Sequence, residues 1–289
     1  MKHLIIILFY MTHCCSTCAL SSDRFVFLPP GLHFTPLKAN LDEARIGLFK
    51  FSNSADMKID IGNTIDLFGV NLPEEKMKIT AGIDFMAYGY SVNSQGLRLQ
   101  IDAMDGIFGG NVSVSKDCDG SKLYARLRIL HLSGHFVDDH FYDGQLANLL
   151  VDRSGRMFTK DFGELVLARS VSSSFGNLRY YAGMSYATLI HPTTVERFAY
   201  LGGFELANGT VGGNFLNNPL NIYCAYQISL NGIPAYGATH QFQAGVKFGE
   251  WNNKGVTVYT AYLSGQHMFS EYYDERISTV GFGFMVDFF

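Results

Sequence analysis

Charge of one sign, paired cysteines and long apolar runs are all scarce in this chain. Its 289 residues carry 22 Lys and Arg against 26 Asp and Glu, a formal charge of -4. Binding a phosphate backbone needs a basic stripe, and none is present, so nucleic acid is excluded as a partner on electrostatic grounds. Of five cysteines, Cys14, Cys15 and Cys18 fall in the first twenty residues. Cys118 and Cys224 are left in separate segments, without the spacing of a disulfide framework or a zinc site. Beyond residue 20 no run reaches the roughly 18 apolar residues of a membrane-spanning helix. Tryptophan is nearly missing, with one residue against 24 Phe and 16 Tyr. A composition 47% hydrophobic and 17% charged nevertheless rules out a disordered chain.

What is present begins with MKHLIIILFYMTHCCSTCAL: Lys2, an apolar core from Leu4 to Met11, and small residues around Cys18 and Ala19 before a polar SSD. This order predicts a secretory signal peptide over residues 1–20. Residues 21–289 then form a single domain with a short entry segment ahead of its first strand. An exported, apolar, helix-poor chain has one other way to live in a membrane, a closed barrel that satisfies its backbone hydrogen bonds between strands.

Period-two alternation supports that architecture. Met57, Ile59 and Ile61 alternate with Lys58, Asp60 and Gly62; Ile79, Ala81, Ile83 and Phe85 with Thr80, Gly82 and Asp84; Leu97, Leu99, Ile101 and Ala103 with Arg98, Gln100 and Asp102. In HQFQAGVKFG, Phe242, Ala244, Val246 and Phe248 oppose Gln241, Gln243, Gly245 and Lys247. Such faces require strands whose two sides meet different surroundings. Twelve segments are expected, around residues 43–50, 56–66, 78–89, 97–114, 122–134, 162–174, 177–190, 196–206, 220–230, 237–249, 256–267 and 277–289. The fourth is open to division near Gly109 and Gly110, which sets a range of 10 to 14. The fold expected is an all-β, antiparallel transmembrane barrel of about 12 strands in the bacterial outer membrane, with aliphatic side chains toward lipid and polar ones inward. The alternative is a soluble exported barrel or sandwich with the faces reversed. The closing segment STVGFGFMVDFF resembles the terminal signal by which outer-membrane barrels engage the assembly machinery, although its apolar parity runs through Phe288 rather than Phe289.

The richest polar stretch is ILHLSGHFVDDHF, Ile129 to Phe141. The parity of Leu123, Ala125, Leu127 and Ile129 carries His131, Ser133 and His135 onto the aliphatic, lipid-facing side. Polar groups there must lie among headgroups, be paired or be covered. Residues at i and i+2 share a face, so His131 is placed to serve as general base to a Ser133 nucleophile on an acyl ester. The third, orienting group is not evident. Asn177 falls on the inward parity if Leu178, Ala182, Met184 and Ile190 face lipid, and Asp138 or Asp139 would serve only if the loop folded back. A second reading gathers His135, Asp138, Asp139, His140 and Asp143 as a cation site. Its carboxylates suit calcium and its histidines a transition metal. The plain alternative is a strand that ends at Gly134 and enters a polar loop facing solvent or lipopolysaccharide. Phe136 to Asp161 is expected to be irregular, with QLANLLVD as a short helical turn or plug-like contact. Inside, Arg126 and Arg128 are candidate ligand-binding residues, as are His135 and Asp139 outside; Glu164, Asp84 and Asp102 are candidate ion-pair partners for the two arginines.

LHLSGHFVDDHF, the preceding LYARLRI, the entry segment FVFLPPGLHFTPLKANLDEARIGLF and the tail GQHMFSEYYDERISTVGFGFMVDFF together resemble the outer-membrane barrel family called domain of unknown function 1207. That resemblance implies a barrel and brings no activity with it. A looser likeness, carried by His131 and Ser133, is to outer-membrane phospholipase A. It implies about twelve strands, an outward His-x-Ser pair near the outer leaflet, calcium and a homodimer. This chain has Gly134 and His135 where that family continues with Asn and Gly. The expectation is therefore an outer-membrane barrel of unresolved activity that interacts with lipid, lipopolysaccharide or another ligand. The first alternative is a calcium-assisted phospholipase or esterase using Ser133 and His131, and the second a narrow diffusion pore.

Overall fold

The computed structural model describes residues 24–94, 98–136, 157–209, 211–233 and 235–288. The expected signal peptide, Asp138, Asp139, His140, Asp143, QLANLLVD and Phe289 lie outside these residues. The strands are β1 Phe25–Phe27, β2 Ile46–Phe51, β3 Met57–Leu72, β4 Met77–Ser94, β5 Arg98–Cys118, β6 Ser121–Phe136 and β7 Phe158–Ser173. They continue as β8 Gly176–His191, β9 Phe198–Asn208, β10 Asn214–Phe215, β11 Asn218–Gly232, β12 Tyr236–Gly249, β13 Gly255–Gln266 and β14 Arg276–Asp287. All but β1 and β10 pair with sequential antiparallel neighbours, and β14 closes on β2, giving a 12-strand barrel among the described residues. β2 covers only part of β3; further along the same edge, β1 pairs with Phe68 to Val70.

Burial fixes the direction of the faces. On β6 Ile129 is 69% exposed and Arg128 1%, while on β14 Phe282 is 61% exposed. Phe242 is exposed on β12, where Gln243 and Lys247 are buried. Aliphatic and aromatic side chains therefore form the outer surface and charged ones the interior, the arrangement a closed sheet adopts in lipid and the reverse of a soluble barrel. Aromatic rings gather at both rims of this belt: Tyr186, Phe198, Tyr200 and Tyr236 at one, and Phe25, Phe27 and Phe68 at the other. Turns such as 73–76, 119–120 and 174–175 are short at the second rim, whereas 267–275 is long at the first. The first rim is thus the cell-surface end.

Three local features of the sheet matter. β5 runs unbroken through Gly109 and Gly110. A Cβ on Gly109 would fall 2.0 Å from the Ile129 carbonyl oxygen, so glycine there permits close strand approach rather than marking a break. Between Tyr90 and Ser91 the register to β5 shifts, and Ala103 turns inward against the expected parity. A second irregularity opposite Asp161 and Phe162 turns Ile190 inward, where lipid exposure was expected. A bulge reverses facing from that point on, which alternation read residue by residue does not anticipate.

The lumen is filled from both ends. Residues 28–45, between β1 and β2, pass inside the barrel and bury Phe34, Leu37, Lys38 and Glu43. From the cell-surface end, residues 267–275 fold inward around a 3-10 turn at Ser270–Tyr272, with Phe269 packed between Tyr88 and Tyr90.

Candidate functional site

β6 presents His131 and Ser133 on the outer surface, two residues apart and on one face. Strand geometry puts their Cα atoms about 6–7 Å apart. β7 supplies the third group: Asp161 is the cross-strand partner of His131, and its Oδ1 lies 2.6 Å from His131 Nδ1. Both side chains are partly exposed, as a surface site requires. On the other flank His131 faces Phe108 of β5, ring centroids 4.9 Å apart. Ser133 lies between Gly106 and Thr159 in the sheet register. Gly106 leaves open the space beside the Ser133 Oγ, which would be 3.9 Å from a Cβ built there.

The contact engages Nδ1 with the carboxylate, which leaves Nε2 as the free ring nitrogen and fixes the ring's orientation. Ser133 and His131 are not hydrogen-bonded to each other in this arrangement. Catalytic contacts of this kind commonly tighten only with substrate in place. In the sheet register His131 lies one outward step beyond the row Ile129, Gly163, Tyr186 and Phe198, on the cell-surface side. Tyr186 and Phe198 belong to the upper aromatic rim, so the polar trio lies toward the cell-surface side of the belt.

Closed sheet, apolar belt, aromatic rims and charged interior together make the chain an outer-membrane β-barrel protein. No family model and no curated protein matches the sequence. Among solved structures it is similar to the β domain of the Bordetella autotransporter Brka, at 12% identity and a TM-score of 0.41, over 84% of this chain and 98% of that one. It is also similar to the Pseudomonas putida toluene transporter TodX, at 11% identity and a TM-score of 0.43, over 81% of this chain and 69% of that one. The low-pH structure of Pseudomonas putida OprB matches at 9% identity and a TM-score of 0.33, over 84% of this chain and 90% of that one. None of these likenesses bears on activity.

The remaining sequence candidates fall elsewhere. His135 is exposed near the end of β6, which runs on to Phe136 past the expected stop at Gly134. Asn177 does point inward and accepts a hydrogen bond from Ser170. Arg126 and Arg128 are buried in the lumen and committed to carboxylates: Arg126 Nη1 donates to Glu43 at 2.9 Å, and Arg128 Nη2 lies 2.7 Å from Glu164. Of their expected partners, Glu164 is engaged, Asp84 accepts instead from Thr64 and Asn111, and Asp102 accepts from Tyr272.

Two residues escaped the sequence reading. Asp161 was placed in an irregular stretch because β7 was expected to begin at 162, whereas it begins at Phe158. Extending the parity of Leu165 and Leu167 backward through Gly163 would have put Asp161 outside and beside β6. Glu43 carried no local signal, because its partners are 83 or more residues away.

Proposed function

We propose that the protein is a lipid acyl-ester hydrolase working from the outer surface of its barrel. Ser133 is the nucleophile, His131 the general base and Asp161 the group that orients the histidine. The observation that carries this reading is the His131–Asp161 contact of 2.6 Å on a face otherwise turned to lipid. A carboxylate and an imidazole on a membrane-facing strand are costly to maintain, and pairing them beside a serine gives the cost a chemical use. Ser133 Oγ attacks the ester carbonyl as its proton passes to His131 Nε2. The tetrahedral intermediate collapses, the proton is returned to the departing alcohol, and water hydrolyses the acyl-serine with the same base. The placement toward the cell-surface side of the belt suits the ester bonds of outer-leaflet lipids or lipopolysaccharide. Calcium, the assembly machinery and a second copy of the chain are partners consistent with this reading.

The diffusion-pore alternative has less support, since the entry segment and the inward 267–275 loop occupy the lumen. The deciding experiment is release of fatty acid from mixed phospholipid and lipopolysaccharide micelles by purified protein, with and without calcium. Ser133→Ala and His131→Ala should each lose turnover. Equal turnover in parent and both variants, or none in the parent under either condition, would overturn the proposal.

A further inference from the structure

On the lumenal side of β5 and β6 lies a second cluster, built from different residues. Asp105 of β5 and Glu271 of the inward loop are both buried, at 0% and 2% exposure, and neither forms an ion pair with a described Lys or Arg. Asp105 Oδ2 accepts the backbone N–H of Ser270 at 2.8 Å, which docks the loop on the barrel wall. The Ser270 and Tyr88 hydroxyls also approach the Asp105 carboxyl, while Glu271 Oε2 has no hydrogen-bond partner. Gly134 is the β6 residue opposite Asp105. A Cβ on it would meet Ser270 Oγ at 2.3 Å, Asp105 Oδ1 at 2.9 Å and Glu271 Oε1 at 3.4 Å. Three oxygen-bearing side chains thus converge on one small volume that glycine leaves free.

Two buried carboxyl groups side by side without a cationic partner, one of them with an unsatisfied oxygen, are a costly arrangement in a folded protein. We infer that Asp105, Glu271 and Ser270 hold a hard divalent cation, calcium by donor type, that pins the 267–275 loop inside the cell-surface mouth of the barrel. Oxygen-only donors of mixed carboxylate and hydroxyl character suit calcium, whose flexible coordination accepts water in the remaining positions. Asp105 and Ser270 line a cavity of about 140 Å³ whose wall also includes Gln241, Asn231 and Arg197.

The site is independent of Ser133, His131 and Asp161, and its test does not read hydrolysis. Full mature chain in detergent is titrated with calcium by calorimetry and with terbium by luminescence, magnesium serving as competitor. Heat-modifiable migration on gels confirms that each variant is a folded barrel. One saturable calcium site is expected, with affinity at least tenfold weaker in Asp105→Asn and Glu271→Gln and reduced several-fold in Ser270→Ala. Gly134→Ala, which keeps every donor but fills the volume, should weaken binding as well. A joint Asp138, Asp139 and Asp143 to Asn variant should bind as the parent does. The inference fails if the parent binds no calcium, since the two acids then share a proton instead. It fails equally if binding is lost in the loop variant while Asp105→Asn and Glu271→Gln retain it.

Discussion

His131 and Asp161 face each other across β6 and β7 on the outside of the barrel, Nδ1 to Oδ1 at 2.6 Å, in a row that otherwise carries Phe108 and Leu189. An acid and a base exposed together on a lipid-facing wall make a definite demand on any variant that separates them.

Asp161→Asn keeps the shape of the contact but replaces the carboxylate beside His131 with a neutral amide. In serine hydrolases this exchange lowers turnover by about 10⁴-fold. A loss of about 10²- to 10⁴-fold in kcat is expected here, with KM little changed, because the carboxylate acts on the histidine rather than on bound lipid. Combining Asp161→Asn with Ser133→Ala should add nothing to Ser133→Ala alone, as residues acting as a unit are not additive. Fatty-acid release that is equal in Asp161→Asn and parent would remove Asp161 from the mechanism.

The barrel itself was legible in sequence because its signal is local. Lys58, Asp60, Thr64 and Asp66 turn inward and Ile61 and Ile65 outward along β3, and every such strand repeats the rule in a few residues. Two of the three residues of the candidate site were legible for the same reason, since His131 and Ser133 share one strand. Asp161 was obscured by a strand boundary, and Ala103 and Ile190 by register shifts that invert facing. Glu43 and Glu271 were beyond reach, because they act through chain segments folded into the lumen, and no periodicity marks such segments.

Glu43 sits between two guanidinium groups, 2.9 Å from Arg126 and 3.6 Å from Arg128. Glu43→Gln leaves both arginines with Glu164 as their remaining charged partner. Removing one member of a buried ionic cluster costs about 3–5 kcal/mol, and the lower end applies because Glu164 remains. Urea unfolding in detergent, followed through Trp251, should show this loss. Replacing Glu43 and Arg126 together by apolar residues should cost less than Glu43→Gln alone, and a larger cost for the pair would contradict the account.

Acid should loosen the entry segment in two stages. Burial and the nearby Lys78 and Lys122 hold His33 neutral, with its pKa lowered from 6.5 to about 4. Its contribution is complete above pH 6.5 and is lost as pH falls toward 4. For Glu43, burial alone would raise the pKa, but Arg126 and Arg128 outweigh it and lower the value from 4.5 to about 2. That contribution is complete above pH 4.5 and is lost as pH falls toward 2. Trp251, with Lys38 over its ring at 5.5 Å, reports on the segment. His33→Gln should flatten the fluorescence change in the upper window and Glu43→Gln that in the lower one. A signal constant from pH 7 to pH 3 would show that neither group governs the segment.

The same segment decides conductance. Phe34 lies under the Arg126 guanidinium at 4.3 Å, Arg179 donates to the Thr35 carbonyl at 2.9 Å, and Lys38 reaches Asp287 at 3.0 Å. These contacts tie the segment to β6, β8 and β14, so thermal motion of one strand does not release it. Residues 267–275 close the other end through Asp105 and Tyr88. In planar bilayers the parent should therefore show no steady conductance above the lipid background. Shortening residues 28–45 to a glycine and serine linker should open discrete ion-conducting steps, made larger when 267–275 is shortened too. Steady conductance in the parent, or a silent barrel after both changes, would mean that these two segments are not what fills the lumen.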